Sequence, residues 1–200
     1  MGTFTTVANL PLGDSFTVTD TTTGQTVTTA GESYTGPVSG VERDLILITP
    51  DNLNITANVP NVFIHSGSGR DALQASSGTN VLDGGTNSNF LTGGSDTDTF
   101  FVDARGATSD IWDTVNNFHA RDSVTLWGIT RQDFNISWQD GQGAPGFTGL
   151  TLHATAPGKP TTSLTIPGYT TADLNNGRLT TVFGTDPVSG SNFMFVHANS

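Results

Sequence analysis

The stretch SGSGRDALQ–ASSGTNVLD–GGTNSNFLT–GGSDTDTFF, residues 66–101, consists of four nonapeptides with nothing between them. The sixth place of each holds Asp71, Asn80, Asn89 and Asp98, and the eighth holds Leu73, Leu82, Leu91 and Phe100. The same register counted backwards meets Ile64, Ile55 and Ile46. Six turn-forming residues followed by three extended ones make a half-coil in which the middle strand residue points inward. Two half-coils close a turn, and stacked turns bury a ladder of Ile, Leu and Phe between two parallel sheets. No single repeat buries its own strand, so the array must be several repeats long and capped at its ends. The fold class expected is all-β, a parallel β-roll or β-solenoid, with an N-terminal hairpin cap and a C-terminal antiparallel β region.

The nonapeptides resemble the RTX, or haemolysin-type, calcium-binding repeat G-G-x-G-x-D-x-U-x. The resemblance covers Ser66 to about Asp103 and continues more weakly through DIWDTVNNFHARDSVTLWG, where Asp110, Ile111, Phe118, Asp122, Val124 and Leu126 match the segment that usually follows such repeats. It implies that loop carbonyls and the sixth-place Asp bind Ca2+ between loops one full turn apart. Carried over residue by residue, the ligand positions are Gly67, Gly69, Asp71, Gly78, Asn80, Gly84, Gly85, Asn89, Gly93, Gly94, Asp96 and Asp98. One site would join Ser66–Asp71 to Gly84–Asn89, and a second Ala75–Asn80 to Gly93–Asp98.

Departures from the pattern bear on those sites. Each pairs one Asp with one Asn, which halves the usual carboxylate charge and weakens calcium affinity. Ser66, Ala75 and Ser76 replace glycines, and Asn87 and Asp96 stand at the fourth-place glycine. Asn and Asp are the next best residues at positive φ, so the last two loops are expected to keep their shape. Asn117 and Arg121 stand where Asp and Gly are usual in the following segment. A roll that kept its coils and lost its ions is the reading that competes with calcium binding.

Composition supports strand and turn throughout: 24 Gly, 9 Pro, many Thr, Asn, Asp and Ser, and only 34% hydrophobic residues. The net charge of −11, with 18 acids against seven Lys and Arg, argues against nucleic acid as a partner. There is no Cys, hence neither disulfide nor thiolate site. The longest apolar run, Leu45–Ile48, spans no membrane. MGTFTTVANLPLGDSF lacks the basic start and apolar stretch of a signal peptide. The closing Asn192–Val196 is similar to the end of many RTX proteins, which implies an uncleaved C-terminal signal, type I secretion machinery as a partner and an extracellular bacterial location. The chain reads as a module of a longer polypeptide.

The expected division is an N-terminal β cap over 1–43, the roll over 44–104, and a C-terminal β cap over 105–200. SFTVT and QTVTT flank Asp20–Gly24 as a hairpin that closes the first coil. After Phe134, antiparallel strands are expected between turns at Asp140–Gly146, Ala156–Pro160 and Asp186–Gly190. TTADLNNG reads as one helical turn, with Thr170 or Thr171 as cap and Gly177 as stop.

No catalytic constellation stands out. There is no G-x-S-x-G, the four histidines (His65, His119, His153, His197) are far apart, and Glu32 and Glu42 lack supporting residues. The pairs Asp96/Asp98 and Asp110/Asp113 read as loop or ligand carboxylates. Trp112, Trp127 and Trp138 read as core or cap packing, with sugar stacking as the alternative. The expected function is a non-catalytic calcium-binding β-roll of a secreted bacterial protein, folding on Ca2+ after type I secretion. The alternative is a polysaccharide- or cell-surface-binding module on the same roll.

Overall fold

The computed structural model describes residues 3–11, 15–27, 29–35, 43–47 and 49–199. In chain order the strands are β1 (Thr3–Pro11), β2 (Phe16–Asp20), β3 (Thr26–Val27), β4 (Thr29–Thr35), β5 (Arg43–Ile46), β6 (Leu53–Ala57), β7 (Val62–His65), β8 (Ala72–Gln74) and β9 (Val81–Asp83). They continue with β10 (Phe90–Thr92), β11 (Thr99–Asp103), β12 (Ile111–Asn116), β13 (Ser123–Trp127), β14 (Asn135–Ala144), β15 (Phe147–Thr155) and β16 (Thr162–Pro167). Helix α1 (Thr171–Asn175) precedes β17 (Leu179–Thr185) and β18 (Asn192–Ala198). Two nine-stranded sheets result, in the orders β1-β4-β5-β7-β9-β11-β13-β18-β17 (sheet A) and β14-β15-β16-β12-β10-β8-β6-β2-β3 (sheet B).

Strands β5 to β13 alternate between the sheets and pair in parallel within each, so the chain winds as a β-solenoid of four turns. Sheet A stacks Leu45, Ile64, Leu82, Phe100 and Val124 in register. Sheet B stacks Ile55, Leu73, Leu91 and Val115. None of these nine side chains is more than 1% exposed. Burying each stabilises the fold by roughly 1.5–3 kcal/mol, and each rung touches the next, so the ladder is the core. Strands β8, β9 and β10 are three residues long, as the nonapeptide requires.

Two sequence expectations are corrected. The rung at this level is Leu45, one residue before the expected Ile46: Leu45 pairs with Ile64 and is fully buried, and the Ile46 backbone pairs with His65. One additional residue in the non-repetitive first coil shifts the register there, and a shift of one swaps the faces of a strand. The winding also runs past residue 104. Its next turn takes 24 residues instead of 18, setting Leu91 beside Val115 and Phe100 beside Val124.

Antiparallel strands close both ends, which covers solenoid edges that would otherwise template pairing. At the start, the β2–β3 hairpin lies on β6, and β4 and β1 extend sheet A beyond β5. At the far end β18 and β17 extend sheet A. Sheet B continues through β16, which is parallel to β12, and then through antiparallel β15 and β14. Asp140–Gly146 is therefore not one turn: β14 runs to Ala144, with an irregularity between Gln139 and Gln142. Thr170 is the N-cap residue of α1, its N–H donating to Asp173 Oδ2 at 2.8 Å, and Gly177 follows at φ +81°. Glu42 and Ile48 lie outside the described residues, as do the side chains of Glu32 and Ile46.

Candidate cation-binding coils

The sixth place of the nonapeptide points into the roll as firmly as the eighth. Asp71, Asn80, Asn89 and Asp98 are at most 5% exposed. Each side chain accepts a hydrogen bond from the backbone of the coil before it. On one side, Asp71 Oδ1 receives Leu53 N–H at 2.7 Å, Asn89 Oδ1 receives Asp71 N–H at 2.9 Å, and Asp113 Oδ1 receives Asn89 N–H at 2.8 Å. On the other, Asn80 Oδ1 takes Val62 N–H, Asp98 Oδ1 takes Asn80 N–H, and Asp122 Oδ1 takes Asp98 N–H at 3.2, 2.9 and 2.7 Å. These two Asx ladders satisfy buried amides that the three-residue strands leave over.

Asp113 and Asp122 therefore belong to the ladders, although no nonapeptide contains them. Counting 18 from Asn89 and Asp98 reaches Ala107 and Asn116, whereas the widened turn puts both carboxylates 24 residues on. The signal was available in Asp113 and Asp122 themselves, which keep the ladders' own spacing of nine.

Asn and Asp do different work at these positions. Asn80 Nδ2 donates to Ser77 O, Gly78 O and Asp98 Oδ1, at 3.2, 2.8 and 2.8 Å. Asn89 Nδ2 donates to Asn87 O at 3.2 Å and Thr86 O at 3.5 Å. Asn117 Nδ2 donates to Gly93 O and Gly94 O at 2.9 and 2.7 Å. Each amide thus supplies its loop carbonyls with the positive pole that a cation would supply. The Asp98–Asn80 pairing is filled in this way on both loops.

The Asp71 side differs. Asp71 Oδ2, Ser66 Oγ and Asp113 Oδ2 are buried with no hydrogen-bond partner. The Ser66 hydroxyl lies near enough to lower the Asp71 pKa as a hydrogen-bond donor, although the two oxygens fall outside the geometry of a formed hydrogen bond. Hard oxygens with spare lone pairs suit Ca2+, so loop 66–71 fits the ion better than loop 75–80. Among the described residues no three His, Asp or Glu side chains gather into a metal cluster, so hydroxyl, amide and backbone oxygens would have to complete any coordination.

Burial pushes the Asp113 carboxyl up to about 8, against the lowering effect of its Asn89 hydrogen bonds. Burial likewise raises Asp98 to about 6, with the charge of Asp122 adding to it, and raises Asp71 and Asp122. The last three are at most 2% exposed. Asp113 is surrounded on every side, and its register neighbour is Leu164.

The remaining candidates separate. Gly67, Gly78 and Gly85 take positive φ, as does Asn87 at +80°, but Gly69, Gly84, Gly93, Gly94 and Asp96 do not. Asp96 is exposed and plays no glycine-like part, and Ala75 fits the core at 2% exposure. A Cβ at Gly85 would lie 1.8 Å from Gly67 O, so the coils approach there as only glycine allows. The geometry divides both suggested Asp pairs: Asp98 and Asp113 face inward, while Asp96 and Asp110 are exposed. His65 ends β7 and meets Asp83 at 2.8 Å; burial lowers its pKa, but Asp83 and nearby carboxylates raise it overall.

Trp112 and Trp127 are not core residues. Trp112 is 42% exposed on the outer face of sheet B, its Nε1 donating to Thr165 Oγ1. Trp127 lies on the outer face of sheet A, stacked 6.2 Å from Phe101 and covered by Arg105. Only Trp138 packs against the core. No described helix is long and apolar enough to cross a membrane. No family model, curated protein or solved structure matches the chain.

Proposed function

We propose that the chain is a non-catalytic calcium-binding β-roll module of a secreted bacterial protein, and that it completes its fold on Ca2+ after export. The observation that carries this reading is the unpaired buried oxygen of Asp71 beside Ser66 Oγ, within a ladder of carboxylates that burial pushes toward protonation. A bound divalent cation supplies positive charge that lets such carboxylates stay ionised inside the roll. Where calcium is scarce, charge repulsion and the entropy of the Gly-rich loops disfavour coiling and keep the chain loose enough for a type I channel. The Asn amides at positions 80, 89 and 117 limit the effect to part of the roll.

Thermal melting followed by circular dichroism tests the proposal. At about a hundredfold excess of calcium over its dissociation constant the gain is about 3 kcal/mol, or roughly 6–12 °C for a chain of this size. Asp71→Asn should remove most of it, and magnesium should not replace calcium. Identical melting in calcium and in chelator would refute the reading.

A second reading, a polysaccharide- or cell-surface-binding module, is favoured by the exposed Trp112 and by the T-shaped Phe90–Phe147 pair, 4.7 Å apart on the outer face of sheet B.

A further inference from the structure

The interior ladders have to stop somewhere, and at the C-terminal end they stop on aromatic rings. In sheet B the row Asp113, Leu164, Leu152 ends on Trp138 of edge strand β14. In sheet A the row Val102, Leu126, Met194 ends on Phe183 of edge strand β17. No described strand lies beyond either edge. Between these last rungs is a pocket of about 380 Å3, lined by Trp138, Phe134, Phe183, Ile136, Thr181 and Arg131 among others. That volume is in the range of small-ligand sites.

The rim of this aromatic end carries an exposed arginine. Arg131 Cζ lies 5.1 Å over the Phe183 ring, and the guanidinium has no hydrogen-bond or ion-pair partner among the described residues. Lys159, the single lysine of the chain, sits 4.9 Å over Phe134 on the same side, 3.7 Å from Asp133. Two of only seven Lys and Arg residues thus gather at one end of a molecule of net charge −11. Lys159 is ion-paired with Asp133, as Arg105 and Arg178 are with Asp103 and Asp173, so at this end it is Arg131 that is left without a carboxylate.

We propose that this pocket binds a carboxylate-bearing sugar ring, a uronate unit of an acidic polysaccharide. The apolar face of the pyranose stacks on Trp138 between the two sheet edges. Its carboxylate takes the planar N–H fork of Arg131, which stays on Phe183, and Thr181 and Asn135 face the ring hydroxyls. The inference rests on the polysaccharide-binding reading but places the ligand at the end of the roll and not on the outer face of sheet B, and it is independent of calcium.

The test is calorimetric titration of the full chain with trigalacturonate, with its methyl ester as neutral control and phenylacetate as a carboxylate without a sugar ring. Chelator is kept present so that calcium does not bridge ligand and protein. Saturable binding of the triuronate is expected, weakened about ten- to a hundredfold by Arg131→Gln and unchanged by Arg70→Gln at an exposed arginine of the repeat loops, with the wild-type circular dichroism spectrum kept in both. No binding of the triuronate, equal binding of the ester, binding of phenylacetate alone, or an unaffected Arg131→Gln variant would each overturn it. Retention on neutral polysaccharide that Arg131→Gln leaves untouched would sink this site while sparing the broader reading. Self-association through this end, abolished by Arg131→Glu, would also overturn it.

Discussion

Replacing Asp113 by Asn should make the calcium-free protein more stable, and only at high pH. The carboxyl is fully buried, its Oδ1 accepts Asn89 N–H, and its Oδ2 has no partner. Its pKa rises from 3.8 in an open chain to about 8 in the fold. A folded-state pKa above the unfolded one means that the native state holds the proton more tightly. The associated stability is therefore complete below pH 3.8 and is lost as pH climbs through about 8. About four pKa units at about 1.4 kcal/mol each set an upper bound on the order of 5 kcal/mol. The neutral amide escapes that loss but brings a second N–H into the core, which costs about 1–3 kcal/mol if it finds no acceptor. The expected net gain for Asp113→Asn is about 2–4 kcal/mol at pH above 8, and nothing or a small loss near pH 4. Guanidinium unfolding in chelator at both pH values measures it directly. A difference between wild type and variant that is the same at both would show that Asp113 is not a desolvated acid, and the electrostatic account of the ladder would fail with it.

Further outcomes follow from other parts of the roll. Leu82→Ala, which empties a fully buried rung between Ile64 and Phe100, should lower unfolding free energy by about 2–5 kcal/mol in a denaturant titration. Gly85→Ala, at φ +68° and 1.8 Å from Gly67 O, should prevent native stacking, while Gly106→Ala, at φ +71° with open space around it, should cost only about 1 kcal/mol. Asn80→Asp removes the donor to Ser77 O and Gly78 O and puts a second carboxylate against Asp98, so melting should fall in chelator and recover with calcium. A variant that calcium fails to rescue would count against cation binding at that coil.

The spacing of nine was enough to read the solenoid, the three-residue strands and most of the Leu, Ile and Phe rungs, because stacking requires a near-constant residue count per coil. Hairpin and helix-cap residues were legible for local reasons: Asp20–Gly24 and Thr170–Gly177 carry their turn chemistry within a few residues. What the count could not reach were places where the period slips. Leu45 replaced Ile46 after one extra residue, and Asp113 and Asp122 entered the ladders after six. The inward direction of the sixth place, the amides of Asn80, Asn89 and Asn117 on loop carbonyls, and the unpaired oxygens of Asp71 and Asp113 depend on side chains 18 or 24 residues apart meeting in space. So does the aromatic end with Arg131, built from β14, β17 and the segment between β13 and β14. Sequence by itself determined the repeat, since each coil repeats the same local preferences. Only the tertiary structure decided which polar groups are sealed inside, since burial and partnership are properties of neighbouring coils and not of any one of them.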